Sequence, residues 1–269
     1  VTGEVARSDE LQPARGFAQV ELGEMTDFVY DISAQFQNEA GFDVVRISTG
    51  APTVFRSLAT GESVDNTADE SPESIAFSQV EPAQVVEQED GVVVYLPQLV
   101  NRDSNRSIRV VFAAEVFDLA TTFQGEVINS SGISLPQFIV GGDVSQELST
   151  NSLSVLGSSG AVPDLLQDLS LSAATFTPNG DGINDELEIR YSLFHLPEHV
   201  PVSLEIYSLD GRKVATLEAG RQRSGTQTVR WDGRDQTRAL LTPGLYLLSV
   251  AVEADFAASK RIRSVGIVY

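Results

Sequence analysis

A chain of 269 residues with 42% hydrophobic content can fill one large core or two ordinary ones, and 21 Gly with 11 Pro favour sheets and turns over long helices. The absence of cysteine excludes disulfides, thiolate metal sites and cysteine catalysis. The net charge is -20, carried mainly by residues 1–160 with 7 basic and 24 acidic side chains, against 11 and 14 in residues 161–269. Such a field repels nucleic acid and anionic lipid, so neither is an expected partner.

Residues 1–16 are polar and lack periodicity, so they are expected to form an extended N-terminal tail. Val1, Thr2, Gly3 and Glu4 carry neither the basic nor the apolar region of a signal peptide, and no apolar run approaches the roughly 20 residues that span a bilayer. The expectation is a mature, exported form at the cell surface.

Residues 17–156 are expected to be an acidic β-sandwich domain. Strands are predicted at 28–32, 43–47, 91–96, 108–116, 122–128 and 137–140, with turns at Asn38-Glu39-Ala40-Gly41, Glu89-Asp90-Gly91 and Gly141-Gly142-Asp143. Residues 60–73, rich in Ser, Asp and Glu, are predicted to be a solvated loop. A linker is placed at 157–170, on the composition of Gly157-Ser158-Ser159-Gly160-Ala161-Val162-Pro163. Within it, residues 164–170 fit either a helical turn or a leading strand. Residues 171–269 follow a regular strand–turn rhythm and form the second predicted sandwich.

Four segments of that second region stand out. Phe176-Thr177-Pro178-Asn179-Gly180-Asp181-Gly182-Ile183-Asn184-Asp185 places oxygen ligands at alternate positions around glycines. Asn179, Asp181, the Ile183 carbonyl and Asp185 form a candidate calcium cage, with Thr177 and Glu188 at the outer EF-hand positions. An Asx/Gly turn leading into a strand explains the same residues without an ion. Next come Leu204-Glu205-Ile206-Tyr207-Ser208-Leu209-Asp210-Gly211-Arg212, a strand with an Asp-Gly hairpin turn, and Val229-Arg230-Trp231-Asp232-Gly233-Arg234-Asp235. The fourth is Leu241-Thr242-Pro243-Gly244-Leu245-Tyr246.

These four segments, in this order, resemble the FlgD-type (flagellar hook-capping) Ig-like domain, over roughly residues 174–269. The resemblance implies an Ig-like sandwich of a kind found in many bacterial surface proteins, with Trp231 and Tyr246 in its core. The opening motif is also similar to C-terminal domains of type IX-secreted surface proteins, although Ser208-Leu209-Asp210-Gly211-Arg212 replaces the aromatic-rich segment of that type. Residues 17–156 resemble β domains of uncharacterised bacterial surface proteins.

No catalytic residues are predicted. His195 and His199 are the only histidines, and Pro197 between them opposes the helix on which that spacing would hold zinc. No Gly-x-Ser-x-Gly elbow or phosphate loop occurs. The expected function is a non-enzymatic, structural or adhesive subunit of an extracellular assembly or filament. Its partners would be copies of itself or other surface proteins, joined by strand addition through residues 1–16. Contact between such acidic regions calls for screening by salt or divalent ions. The rival is an accessory module that binds carbohydrate or protein, or a secretion or anchoring domain of a larger secreted enzyme system.

Overall fold

Short runs of β-branched and aromatic residues, broken by Gly, Asp and Asn, favour strands and tight turns. The computed structural model is accordingly all-β, with no helix among the described residues, which are 1–34, 40–63, 75–101, 107–158, 164–196 and 198–269. The chain divides into two units, Val1–Gly160 and Ala161–Tyr269.

The first unit contains β1 (Thr2–Arg7), β2 (Ala18–Val20), β3 (Thr26–Ser33), β4 (Phe42–Ser48), β5 (Thr53–Ser63), β6 (Ile75–Val80) and β7 (Gln84–Gln88). These are followed by β8 (Gly91–Val100), β9 (Ser107–Ala114), β10 (Ala120–Thr122), β11 (Gln124–Ile128), β12 (Gln137–Gly141) and β13 (Ser154–Gly157). Ten of them form one sheet in the order β6-β5-β9-β3-β1-β12-β11-β4-β8-β7. Its two halves bury a single core. Val5, Tyr30, Ile108 and Phe112 from one half join Val45, Ile47, Val92 and Val94 from the other. Phe28, Phe112 and Phe123 cluster at its centre, with ring centroids 5.0–6.0 Å apart. The Phe55 N–H donates to Glu87 Oε1 at 2.9 Å, which ties β5 to β7 across the two halves. The small sheet β10-β13-β2 contributes Ala18, Val20 and Val155 to the same core.

Two expectations are corrected here. The predicted N-terminal tail is a central strand: β1 lies between β3, antiparallel, and β12, parallel, with Val5 and Ala6 fully buried. Its main-chain bonds are therefore made within its own unit, and residues 1–16 do not form an extended arm for a neighbour. The strand predicted at 122–128 is broken at Phe123. Thr122 ends β10 in the small sheet, Gln124 begins β11 in the large one, and the buried Phe123 ring marks the crossing.

In the predicted loop at 60–73, Thr60 to Ser63 complete β5, and the remainder lies outside the described residues. Asn38 and Glu39 of one predicted turn lie outside them as well. The predicted linker is also narrower than its bounds. Gly157 closes β13, the Ser158 N–H donates to Val20 O at 2.7 Å, and residues 166–170 are already strand, while 159–163 lie outside the described residues.

The second unit is a two-sheet sandwich. It contains β14 (Leu166–Leu171), β15 (Thr175–Phe176), β16 (Leu187–Leu193), β17 (Val200–Ser208), β18 (Lys213–Gln222), β19 (Gly225–Trp231), β20 (Gly244–Ala254) and β21 (Ala257–Ile267). One sheet runs β14-β16-β19 and the other β15-β21-β20-β17-β18. Inward residues of both, such as Ile189 and Tyr191 against Leu204, Leu248 and Val250, alternate with outward polar ones and make one core.

Candidate functional site

The Asn/Asp/Gly loop between β15 and β16 is closed by hydrogen bonds from its own backbone to the side chains of Asn179, Asp181 and Asp185. Gly180 and Gly182 adopt φ of 83° and 84°, which lets the loop curl around one carboxylate. The Gly180 N–H donates to Asp185 Oδ1 and the Gly182 N–H to Asp185 Oδ2, both at 2.6 Å. Asn179 Oδ1 accepts from the Asp181 N–H at 3.0 Å, and Asp181 Oδ1 from the Ile183 N–H at 2.8 Å. The Ile183 carbonyl accepts from the Thr177 hydroxyl at 3.1 Å. The two glycine N–H donors hold the Asp185 carboxyl below its ordinary range. Glu188 stands in β16, 3.5 Å from Arg230 of β19. For a cation to be held here, Asp185 would exchange its glycine N–H donors for the ion, with Asn179, Asp181 and the Ile183 carbonyl as the other ligands.

The remaining motif residues close turns or fill the core. Trp231 is 2% exposed, its ring 5.4 Å from that of Phe176, and its Nε1–H donates to Arg234 O at 3.0 Å. Gly233, at φ 72°, packs so closely on Pro178 that a Cβ there would meet Pro178 Cγ at 2.7 Å. The Asn/Asp/Gly loop and the Trp231 turn are thus packed together. Asp235 Oδ1 accepts from Thr237 N, Thr237 Oγ1 and Ala239 N at 2.7–3.0 Å, fixing the loop that follows. The Tyr246 hydroxyl donates to Thr242 O at 2.7 Å. Between the edge strands β18 and β19 lies a groove of about 630 Å³, lined by Ala215, Leu217, Val229 and Trp231 and by three arginines, Arg230, Arg234 and Arg238, set among Glu186, Asp232 and Asp235.

Of the two histidines, His195 follows β16 at φ 57° with its ring against Phe194, and the His199 carbonyl accepts from the Arg221 guanidinium. Pro197 lies outside the described residues. Among the described residues no three His, Cys, Asp or Glu side chains converge in a metal-binding arrangement.

Sequence reasoning missed a buried charged cluster in the first unit. Glu4 and Asp31, both 0% exposed, are partners across β1 and β3, and Asp31 is in turn paired with Arg109 on β9. Glu4 Oε1 accepts from the Val144 and Ser145 N–H groups at 3.0 Å, and Oε2 from the Asn151 N–H at 3.3 Å. Asp31 forms a two-pronged bond with Arg109, both prongs at 2.7 Å, and accepts from Ser145 Oγ at 3.2 Å. Arg109 also reaches Glu147 at 2.7 Å and lies 4.0 Å above the Phe77 ring. Burial pushes the Glu4 carboxyl upward against the opposing pull of its N–H donors. The cluster fastens residues 142–151 over the outer face of β1 and β3, where Leu148 packs on Ala6 and Val29. A Glu and an Asp spaced as outward strand residues carry no sequence signal of burial; only the pairing of β1 exposes it.

The outer face beyond β1 differs. Phe138 and Val140, on the outward side of β12, are 70% and 61% exposed, and Ile133 and Leu135 of the preceding loop are 77% and 85% exposed.

Two β-sheets packed face to face around one core define the second unit as an immunoglobulin-like sandwich. Residues 186–255 match the FlgD Ig-like domain family. The Tyr207, Trp231 and Tyr246 segments fall inside that match, and the loop containing Asp185 ends immediately before it. Solved structures to which the chain is distantly similar include dimeric latent PorU from Porphyromonas gingivalis, at 13% identity and TM-score 0.33, covering 99% of this chain and 34% of that one. Another is PorZ, a bacterial surface component of the type-IX secretion system of the same organism, at 12% identity and TM-score 0.28, covering 96% of this chain and 40% of that one. A third is the 35 kDa C-terminal fragment of the major pilin GBS80 of Streptococcus agalactiae, at 8% identity and TM-score 0.30, covering 98% and 90%. The chain spans about a third of the length of the PorU structure. No curated protein matches it in sequence.

Proposed function

We propose that this chain is a non-enzymatic structural subunit of an extracellular, surface-bound assembly. The observation that carries the proposal is the cluster of large apolar side chains around Phe138, exposed on a chain of net charge -20. Grouped apolar residues on a polar surface mark a protein contact. The motif residues of the second unit support the same view, since Asp185, Asp235, Trp231 and Tyr246 are engaged in turns and core packing. The match of residues 186–255 to the FlgD Ig-like domain supports an extracellular place. Sedimentation velocity over a range of concentrations tests the proposal: species larger than the monomer should grow with concentration. A single monomeric boundary throughout would refute it.

A second function, as an accessory binding module, draws on the groove between β18 and β19, where apolar side chains lie among three arginines and three carboxylates. Neutral glycans or peptides that shift the fluorescence of Trp231 would favour it.

A further inference from the structure

We propose that copies of this chain join head to tail by strand addition, the loop tip Ile133–Leu135 of one copy lying in the groove between β18 and β19 of the next, an inference that rests on the assembly reading above. The groove exists because the two sheets of the second unit are unequal. Three strands, β14-β16-β19, face five, β15-β21-β20-β17-β18, and the groove lies where both orders end. Among the described residues β19 pairs with β16 alone, so its other edge presents unmatched main-chain groups. Inward residues there are incompletely covered. Leu217 and Val229 are half-buried, whereas their partners one strand further in, Leu204 and Ile189, are fully closed to solvent. One more strand beside β19 would cover them and pair its free edge at once.

The loop between β11 and β12 supplies such a strand. Ile133 and Leu135, 77% and 85% exposed, flank Ser134 with the alternation of a strand that buries one face. Pro136 biases the preceding Leu135 towards extended backbone. The loop is fixed at its base, where Asn129 Nδ2 donates to Ala40 O at 2.6 Å and the Ser130 N–H to Asp43 Oδ1 at 2.7 Å, while its tip belongs to no strand. Size and charge agree. The groove is lined by three successive residues of β18, Ala215 to Leu217, and three of β19, Val229 to Trp231, about 10 Å of strand. Ile133-Ser134-Leu135 has the same length. Residues 127–142 carry no charged side chain in a chain of net charge -20, and the groove sets three arginines against three carboxylates. An uncharged tip therefore enters without upsetting that balance. Tip-to-tip pairing would instead bring together two regions that each hold 24 acidic and 7 basic residues, which repel. Tip and groove differ, so each copy uses one of each and the contact is heterologous.

The chain has no cysteine, so two introduced ones report the contact. With Ile133 and Leu135 turned into the groove, Ser134 faces outward beside the exposed Arg230 of β19. Full-length protein carrying Ser134→Cys and Arg230→Cys, treated with a short bismaleimide at assembling concentration, should give a ladder of linked chains. Either cysteine alone should give at most a linked pair. Adding Ile133→Asp and Leu135→Asp to the double-cysteine protein should abolish the ladder. Without the cysteines, the same two aspartates should raise the concentration at half-assembly by at least about tenfold, the scale expected for central contact residues. Both positions are exposed, and thermal melting checks that the variants fold. A ladder that survives the aspartates, or linkage confined within single chains, overturns the proposal. A protein that assembles yet gives no ladder also overturns it, while the assembly reading stands. A wild type that stays monomeric removes both.

Discussion

Glu4 and Asp31 are direct cross-strand partners, two carboxylates side by side on β1 and β3 and both closed to solvent. Like charges in that position repel, and they are held there because each has its own donors: main-chain N–H groups for Glu4 and the Arg109 guanidinium for Asp31. Truncating Arg109 to Ala leaves Asp31 buried without its cation, a loss of about 3–5 kcal/mol in the stability of the first unit. Glu4→Ala leaves the Val144 and Ser145 N–H groups without their acceptor, at about 1–3 kcal/mol each. Chemical denaturation of the full chain, followed by circular dichroism, measures both losses.

The same cluster sets a pH dependence. Burial raises the Glu4 carboxyl above its ordinary value of 4.5, so the native state binds that proton more tightly than the unfolded chain. Its contribution to stability therefore grows as pH falls through the interval between the raised value and 4.5, and shrinks as pH rises through it. Asp185 in the second unit has the opposite sign. It is held below its ordinary 3.8, so its contribution is complete above that value and is lost as pH falls through the lowered one. Calorimetry in mild acid should show the first unit gaining relative to the second, and Glu4→Gln should flatten the gain. A gain of equal size in the Gln variant would trace the effect to other carboxylates.

How far the sequence revealed the fold depends on what covers each face. Strands β3, β4, β8 and β9 carry Val, Ile and Phe at alternating inward positions, and the predicted segments at 28–32, 43–47, 91–96 and 108–116 lie on them. Strand β1 is hidden because one face is covered by residues 142–151, which makes Glu4 a buried residue in a stretch that looks solvated. The long β5 is hidden in the sequence for another reason, because Arg56, Gly61 and Glu62 interrupt its apolar run. At the loop ending in Asp185, the Asn and Asp spacing with intervening glycines reveals the curl, while its inward N–H donors follow only from the folded backbone.

Those N–H donors lead to a third prediction. Asp185→Ala should lower the melting midpoint of the second unit in calcium-free buffer, because Gly180 and Gly182 lose their shared acceptor. Calcium supplied at millimolar levels discriminates between turn and cage. A further rise in the wild type that Asp181→Ala abolishes marks a cage with Kd on the order of 10⁻⁴–10⁻³ M. An equal response in both proteins assigns the loop to turn closure alone.

Trp231 provides the fourth. As the only tryptophan, and 2% exposed, it reports on the second unit by itself. Iodide should quench its fluorescence weakly in the native state and strongly after unfolding. Trp231→Ala should lower stability by about 3–5 kcal/mol, and Tyr246→Phe, which removes the bond to Thr242 O, by about 0.5–1.5 kcal/mol. Strong native quenching would place the indole in solvent and overturn the core assignment.

The position of β1 also governs the order in which the first unit can form. In the strand order of the large sheet, among the described residues, it is the strand that pairs the β6-β5-β9-β3 half with the β12-β11-β4-β8-β7 half. Its partner β3 begins only nineteen residues after β1 ends, but its parallel partner β12 starts at Gln137. During synthesis the earliest strand must hold one edge unmatched while more than a hundred residues emerge, and pairing at such sequence separation is slow. Sealing that seam is accordingly expected to be a late event. Substitutions where β1 meets β12, at Gly3 or Gly141, should act chiefly by speeding the loss of the native state, with little effect on the rate of reaching it.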